Sequence, residues 1–258
     1  MATIEPCQFL RWDTEFFGYR IARVIGHKIN LQQLKAILKW CENHKIECLY
    51  FLADPDDAET VMLAEDYGFR LVDIRVTLEC NLKYRQAALI NDLAETVHMR
   101  SSRPSDIPTL RAIARTVYSD SRFYFDPCFP KEACDALYET WIQRSCEGYA
   151  DIVFVAEENR QLVGYISCHL LRDTAEGQIG LLGVDDQARN HGIGKLLVNH
   201  SLKWFAEHSV EKVIVVTQGR NVAAQRLYQR CGFLTQSVQL WYHKWMVDCT
   251  SRGNHESI

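Results

Sequence analysis

The stretch Gln178-Ile-Gly-Leu-Leu-Gly-Val-Asp-Asp-Gln-Ala-Arg-Asn-His-Gly-Ile-Gly-Lys195 decides how this chain is read. Gln178 to Val184 is a short apolar run of strand length, and Asp185 to Ala188 is a polar turn. Arg189, Asn190, His191, Gly192, Ile193, Gly194 and Lys195 then open a helix. Its apolar residues Ile193, Leu196, Leu197, Trp204 and Phe205 are spaced by three and four, as one buried face requires. A helix start carries unpaired N–H groups and the positive end of the macrodipole, so it suits a phosphate. Gly192 and Gly194 keep side chains out of the path of a pyrophosphate, and Arg189 and Lys195 add cationic donors at the rim. The spacing is neither a Walker loop nor Gly-x-Gly-x-x-Gly. The same glycines would also serve a tight strand-to-helix turn that only permits close packing.

Downstream of that stretch, Lys212 to Thr217 reads as a buried strand. Asn221 starts a short helix that stops at Gly232, and Ser237 to Trp245 is a last strand. Upstream, Asp151 to Glu157 and Leu162 to Arg172 form a hairpin across Glu158-Asn-Arg-Gln161. A helix carrying Leu137, Trp141 and Ile142 precedes it, after an aromatic, proline-bearing loop at 118–130. Ser105-Asp106-Ile-Pro108 places a cap and a proline at an earlier helix start. Residues 1–95 read as a smaller α/β unit: a strand over Phe16 to Ile25, an amphipathic helix over Leu31 to His44 with Leu31, Leu34, Ile37, Leu38 and Cys41 on one face, a buried strand over Cys48 to Ala53, a helix over Ala58 to Asp66, and a strand over Leu71 to Leu82. Sliding the chain by 164 residues aligns Glu47 with Glu211, Leu63 with Leu227, Gly68 with Gly232 and Phe69 with Phe233, a faint internal repeat. The first copy has no glycine loop before it, and Ala64 stands where the second has Tyr228. The expected organisation is a non-catalytic unit at 1–95, a catalytic domain at 96–247 and a flexible tail at 248–258.

The 258 residues are 47% hydrophobic and 24% charged, as in an ordinary globular protein, and the formal net charge of −4 leaves no electrostatic footprint for nucleic acid. No apolar run is long enough to cross a membrane, and none at the start resembles a signal peptide. The ten cysteines contain no Cys-x-x-Cys pair or zinc spacing, and the nine histidines no His-x-x-x-His pair. No metal is expected, and a cytoplasmic location is.

Strand, Arg189-x-x-Gly192-x-Gly194, helix, strand, Asn221, then Leu227-Tyr228 and Gly232-Phe233 resembles the GNAT acyl-CoA N-acyltransferases. The likeness spans Val97 to Trp245 and includes the opening Arg100-x-x-Arg-Pro-Ser-Asp106-Ile-Pro. Trp12-Asp-Thr-Glu-Phe-Phe-Gly18, Ser121-Arg-Phe123 and Thr217-Gln218 narrow it to acetyltransferases of nucleotide-linked amino sugars in bacterial surface-polysaccharide synthesis. The resemblance implies an α/β (α+β) GNAT fold with a mixed central sheet, preceded by a partial GNAT-like unit. It also implies acetyl-CoA as donor. The pyrophosphate would lie on Arg189 to Lys195, and the pantetheine arm would pair with the strand edge at Leu182, Gly183 and Val184. A backbone N–H near Val184 would hold the oxyanion. Tyr228 would protonate the leaving thiolate, and Asn221 would bond the cofactor arm. Each has a plainer reading as well, a tyrosine packing its helix on the sheet and an asparagine capping it.

No carboxylate lies in the strand Ile179 to Val184, so Asp120, Asp126 or a water path are the candidates for the base. The aromatic loop is the expected acceptor site, with ring faces at Phe123 and Tyr124 and with Arg122 for a diphosphate. Those aromatics would equally cover a core. The implied acceptor is a nucleotide amino sugar such as dTDP-4-amino-4,6-dideoxygalactose. A peptide, protein or small-molecule amine and a non-catalytic acyl-CoA-binding module are the other readings, and a homodimer is left open.

Overall fold

A computed structural model describes residues 5–84, 97–172 and 174–248. The expected flexible tail therefore lies outside the described residues, apart from Asp248. The chain divides into two compact units that interleave along the sequence: 1–75 with 121–133 and 238–258, and 76–120 with 134–237.

In the first unit a short strand β1 (Cys7–Phe9) leads into helix α1 (Arg11–Phe17) and strand β2 (Ile21–Val24). The strand expected over Phe16 to Ile25 thus begins only at Ile21. Trp12 and Phe16 stack at helical spacing, 4.9 Å between centroids, and Gly18 closes the helix at φ +73 with its N–H on Thr14 O. Helix α2 (Leu31–Asn43) starts on a reciprocal cap, Asn30 accepting from Gln33 N–H and Gln33 from Asn30 N–H. Leu34, Ile37 and Cys41 are buried on its inner face, whereas Leu31 at its first position is exposed. Strand β3 (Cys48–Ala53) is buried at every residue, helix α3 (Ala58–Asp66) follows, and strand β4 (Arg70–Asn81) contributes residues to both units. A four-residue helix, α5 (Arg122–Phe125), and the later part of strand β10 (Leu234–Trp245) complete this unit. Its strands run β1-β2-β3-β10, with β2 and β3 parallel and the outer pairs antiparallel.

The second unit holds strand β5 (Val97–Ser101), helix α4 (Ile107–Val117), most of helix α6 (Lys131–Arg144), strands β6 (Ile152–Glu158), β7 (Gln161–Leu171) and β8 (Glu176–Val184), helix α7 (Ile193–Glu207), strand β9 (Lys212–Gln218) and helix α8 (Val222–Arg230). The strand order is β4-β9-β8-β7-β6-β5. β5 through β8 are antiparallel neighbours, and β8 pairs with β9 in parallel, so the sheet is mixed. Asn159 (φ +50) and Arg160 (φ +66) turn the β6–β7 hairpin through two left-handed residues, a twist that suits two strands. Leu78, Ile166, Cys168, Leu197, Phe205, Val213 and Phe233 lie in its core at 0% exposure. The internal repeat has a structural counterpart: β3-α3-β4 and β9-α8-β10 each pass through a glycine with positive φ, Gly68 and Gly232. Each helix end is closed the same way, by Phe69 N–H on Ala64 O and by Phe233 N–H on Tyr228 O.

Candidate active site

The parallel pairing of β8 with β9 runs from Glu176 opposite Lys212 to Ile179 opposite Val215 and stops there, although β8 continues to Val184 and β9 to Gln218. The cause lies on the other edge of β8. Between the pairs Ile166–Leu182 and Cys168–Ile179, two steps along β7 face three along β8, which is a bulge at Gly180–Leu181. Ser167 Oγ accepts the displaced Leu181 N–H at 2.8 Å, so the bulge leaves no buried donor unpaired. Beyond it, Asp185 N–H donates to Val163 O at 2.9 Å. By strand alternation the polar groups of Gly183 also face β7, while those of Leu182 and Val184 face the edge that β9 has left. An extended chain with amide groups can pair there.

Of the three strand residues expected to bind the cofactor arm, Leu182 and Val184 therefore present backbone groups and Gly183 does not. Gly183 gives room instead: a Cβ on it would sit 2.7 Å from Tyr165 Cε1 and Cζ and 2.9 Å from the Tyr165 hydroxyl. Tyr165 donates to Tyr118 at 3.0 Å, and Tyr118 stacks on Tyr138 at 4.4 Å. The sequence reading missed Tyr165, Tyr118 and Ser167. The available signal was the pair Gly180 and Gly183 inside a strand, which marks a bulge or a close approach.

The loop after β8 makes a short 3-10 turn at Asp186–Ala188, with Asp185 accepting from Gln187 N–H. Arg189 pairs with Asp186 at 2.7 Å; both are exposed, so the pair is worth at most about 1 kcal/mol and yields readily to a stronger anion. Asn190 (φ +66) and Gly192 (φ +81) turn the chain into α7 through left-handed conformations. Gly192 is the cap and offers no side-chain acceptor, and the first helical bond is Leu196 N–H to Gly192 O. The N–H groups of Ile193, Gly194 and Lys195 precede that bond and have no acceptor within the helix. Ile193 contributes its backbone only, since its side chain is 1% exposed and in the core. Gly194 has a packing reason too, because a Cβ there would be 3.1 Å from Leu227 Cδ2 of α8. His191 and Lys195 are exposed at the mouth of the loop.

Asn221 Oδ1 accepts Ala224 N–H at 3.0 Å and so caps α8. About two turns later, Tyr228 is 4% exposed, its ring 5.5 Å from Phe233, and its hydroxyl makes no hydrogen bond among the described residues. Burial pushes its pKa well up, and the neighbouring thiols of Cys231 and Cys168 push it further, so the phenol keeps its proton at neutral pH. Tyr118 lies close enough for the charge of Tyr228 to act on it.

The expected acceptor residues Arg122, Phe123 and Tyr124 belong to the first unit. The Arg122 guanidinium lies 4.2 Å from the Phe123 ring centroid, 4.4 Å from that of Trp241 and 5.3 Å from that of Tyr50. Asp126 accepts from His243 Nδ1 at 2.7 Å, Trp245 Nε1 at 2.9 Å and Cys128 N–H at 3.1 Å. Burial raises the Asp126 carboxyl, but these bonds outweigh it and hold the group below its ordinary value. A carboxylate with three donors is a structural anchor rather than a base. Asp120 sits half-buried in the turn after α4. A further candidate is His169 on β7, whose Nε2 is 2.6 Å from where a Gly180 Cβ would be and whose pKa burial lowers, leaving it neutral.

Residues 115–233 match the acetyltransferase (GNAT) family. The chain carries a GNAT acetyltransferase domain. Its co-substrate is acetyl-CoA and its reaction class is N-acetyl transfer. The chain is 26% identical over 246 residues to dTDP-fucosamine acetyltransferase of Escherichia coli O6:H1, covering 94% of this chain and 98% of that protein. It is 28% identical over 142 residues to the spore coat polysaccharide biosynthesis protein SpsD of Bacillus subtilis, 55% of this chain and 48% of that one. A solved tandem GNAT protein from the clavulanic acid biosynthesis pathway superposes with a TM-score of 0.62 over 90% of this chain and 77% of that one at 12% identity, a likeness of fold alone. That tandem arrangement fits a GNAT domain preceded by a partial copy. Among the described residues no group of three His, Cys, Asp or Glu side chains could hold a metal, and no helix is long and apolar enough to cross a membrane.

Proposed function

We propose that this GNAT domain acetylates the amine of a nucleotide-linked amino sugar, of the kind exemplified by dTDP-4-amino-4,6-dideoxygalactose, by direct attack of the amine on the acetyl-CoA thioester. The observation that carries the transfer chemistry is the vacated β8 edge, with the open start of α7 after it and the protonated Tyr228 in the same unit. On this reading Leu182 and Val184 pair with the pantetheine amides. The N–H groups of Ile193, Gly194 and Lys195 take the pyrophosphate, with Arg189, Asn190 and His191 around them. Val184 N–H polarises the thioester carbonyl as the amine lone pair forms the new C–N bond. The C–S bond then breaks, and the departing sulfur takes the Tyr228 proton. The proton released by the amine passes to His169 directly or through water, since Asp126 is committed elsewhere. Asn221 shapes the start of α8 beside the arm.

The acceptor class is supported by the near full-length likeness to a dTDP-fucosamine acetyltransferase. The transferring machinery falls within residues 96–247, and the first 95 residues take no part in the transfer itself. Both substrates belong to the cytoplasm, which is where we place the enzyme; neither a membrane nor a nucleic acid is a partner, and a homodimer is compatible with this role. Acetyl-CoA consumption and product mass should be measured against nucleotide-linked amino sugars, polyamines and peptides. A mass gain of one acetyl group on the nucleotide amino sugar supports the reading. Acetylation of peptides or polyamines with none on any sugar nucleotide overturns it.

A further inference from the structure

The first unit carries five buried polar atoms without a hydrogen-bond partner among the described residues: Tyr50 hydroxyl, Arg75 Nε, Ser121 Oγ, Arg122 Nε and His243 Nε2. All five belong to that one unit. Tyr50, Ser121 and His243 are 1%, 3% and 1% exposed, so water does not reach them as it would at a surface. An unsatisfied buried polar group costs stability, and native interiors contain few of them, so a group of this size is unlike an ordinary core.

Three of the groups are close to one another, and Ser121 adjoins Arg122 in the chain. His243 stacks on Tyr50 at 4.5 Å, and the Arg122 guanidinium lies 5.3 Å from the same ring. Burial lowers the pKa of Arg75, and the charges of Arg122 and Arg23 lower it further, so these cations repel one another across a partly dry space. Burial raises the Asp13 carboxyl, outweighing the charges of Arg122 and Arg23 that act to lower it, and Asp13 forms no ion pair with Arg122. The Nε–H of each arginine and the two hydroxyls are thus buried donors without an acceptor. His243 Nδ1 is used on Asp126, so its free Nε2 is an acceptor. Arg122 and Asp13 come from the two passages, Ser121-Arg-Phe123 and Trp12 to Gly18, that the transfer chemistry does not use.

We infer that Tyr50, Arg75, Ser121 and Arg122 form a binding site in the first unit for a diphosphate ester. The two guanidinium groups take the phosphate oxygens, the hydroxyls of Tyr50 and Ser121 donate to the remaining ones, and His243 Nε2 accepts from a hydroxyl or N–H of the ester. The bound anion supplies the acceptor that all four donors lack and neutralises the paired cations. This deepens the acceptor reading and rests on it for the identity of the ester, though not for the binding of a diphosphate.

The test is calorimetric titration of the full chain with thymidine 5′-diphosphate and with inorganic pyrophosphate, in the parent and in Arg75→Gln, Arg122→Gln and Tyr50→Phe. Loss of one guanidinium–phosphate contact is expected to weaken binding roughly tenfold to a hundredfold. Acetyl-CoA affinity should stay unchanged. Without ligand, Arg75→Gln should melt at or above the parent temperature, since it removes a repelled, partly buried charge; a purely structural arginine would melt lower. Tyr50→Phe, which alters no charge, keeps the test decisive if an arginine variant does not fold. No diphosphate binding by the parent, equal binding by folded Arg75→Gln and Tyr50→Phe, or binding displaced by acetyl-CoA would overturn the inference. If thymidine diphosphate binds through Arg75 but no sugar nucleotide is acetylated, the site stands and the acceptor reading falls. If a sugar nucleotide is acetylated with the same KM in Arg75→Gln, the reverse holds.

Discussion

Replacing Tyr228 with Phe separates its chemical role from its packing role. The ring stays against Phe233, and the deleted hydroxyl has no hydrogen bond to lose among the described residues. Removing a hydroxyl that holds no hydrogen bond among the described residues is expected to change stability by no more than about 1 kcal/mol. For a chain of this size that is a melting shift within about 2–4 °C. The proton is a different matter. Burial and the thiols of Cys231 and Cys168 hold the phenol protonated, so it is a ready donor to a departing thiolate. General-acid assistance is worth about a hundred- to ten-thousand-fold in rate, or roughly 2.7–5.4 kcal/mol of barrier.

Tyr228→Phe should therefore lose most of kcat while acetyl-CoA affinity and melting temperature hold. The assay is steady-state thiol release with an identified acceptor, checked by a pre-steady-state burst to establish that chemistry limits the rate. Because the folded pKa is raised above 10, the parent should show no loss of rate from Tyr228 ionising below about pH 10. The same raised pKa contributes stability that is fully present below pH 10 and is lost as pH rises through the folded value. Turnover of Tyr228→Phe within a few-fold of the parent, with chemistry limiting, would refute the acid role and leave the tyrosine as a packing residue.

Gly192→Asp should abolish acetyl-CoA binding by calorimetry, because it sets a carboxylate at the anion-accepting helix start and forces a side chain into φ +81; unchanged affinity in a folded variant would sink the helix-start assignment. Ser167→Ala strands the Leu181 N–H and should cost about 1–3 kcal/mol in denaturant unfolding, with a fall in kcat as the bulge relaxes; a variant with both values at parental level would show that the bulge does not depend on the serine. Burial depresses His243 to about 4, so it is neutral at pH 7 while the unfolded chain protonates below 6.5. Stability present above pH 6.5 is lost as pH falls to about 4, by up to about 3 kcal/mol, and chemical denaturation at pH 7 and 4.5 should show a drop that His243→Phe lacks. A fragment starting at Val97 loses Val76, Leu78 and Cys80 from the core of the second unit and should aggregate; a soluble, fully active fragment would show the first 96 residues to be dispensable.

The strand–loop–helix of 178–205, the helix capped by Asn221, the hairpin at 158–161 and the buried strand 48–53 were all legible in the sequence, because each is written in local terms: apolar period, cap, turn residue. The repeated strand–helix–Gly-Phe pattern was legible for the same reason. The helix at Arg11–Phe17 was not, since Phe16 to Ile25 is apolar enough for either conformation and the choice was made by the Gly18 turn and by stacking of Trp12 on Phe16. Other features depend on residues far apart in the chain. The bulge that frees β8 rests on a serine 14 residues away, the Tyr165–Tyr118 contact joins residues 47 apart, and Asp126 meets His243 across 117. No local period encodes such distances. The same holds for the grouping of 121–133 with the first 75 residues, which places Arg122 beside Tyr50. The sequence alone determined most of the elements and the glycine loop that opens the helix at Ile193. Which strand edge is left open, and which cations are buried without an anion, only the tertiary structure decided, because register and convergence are set by packing between distant segments.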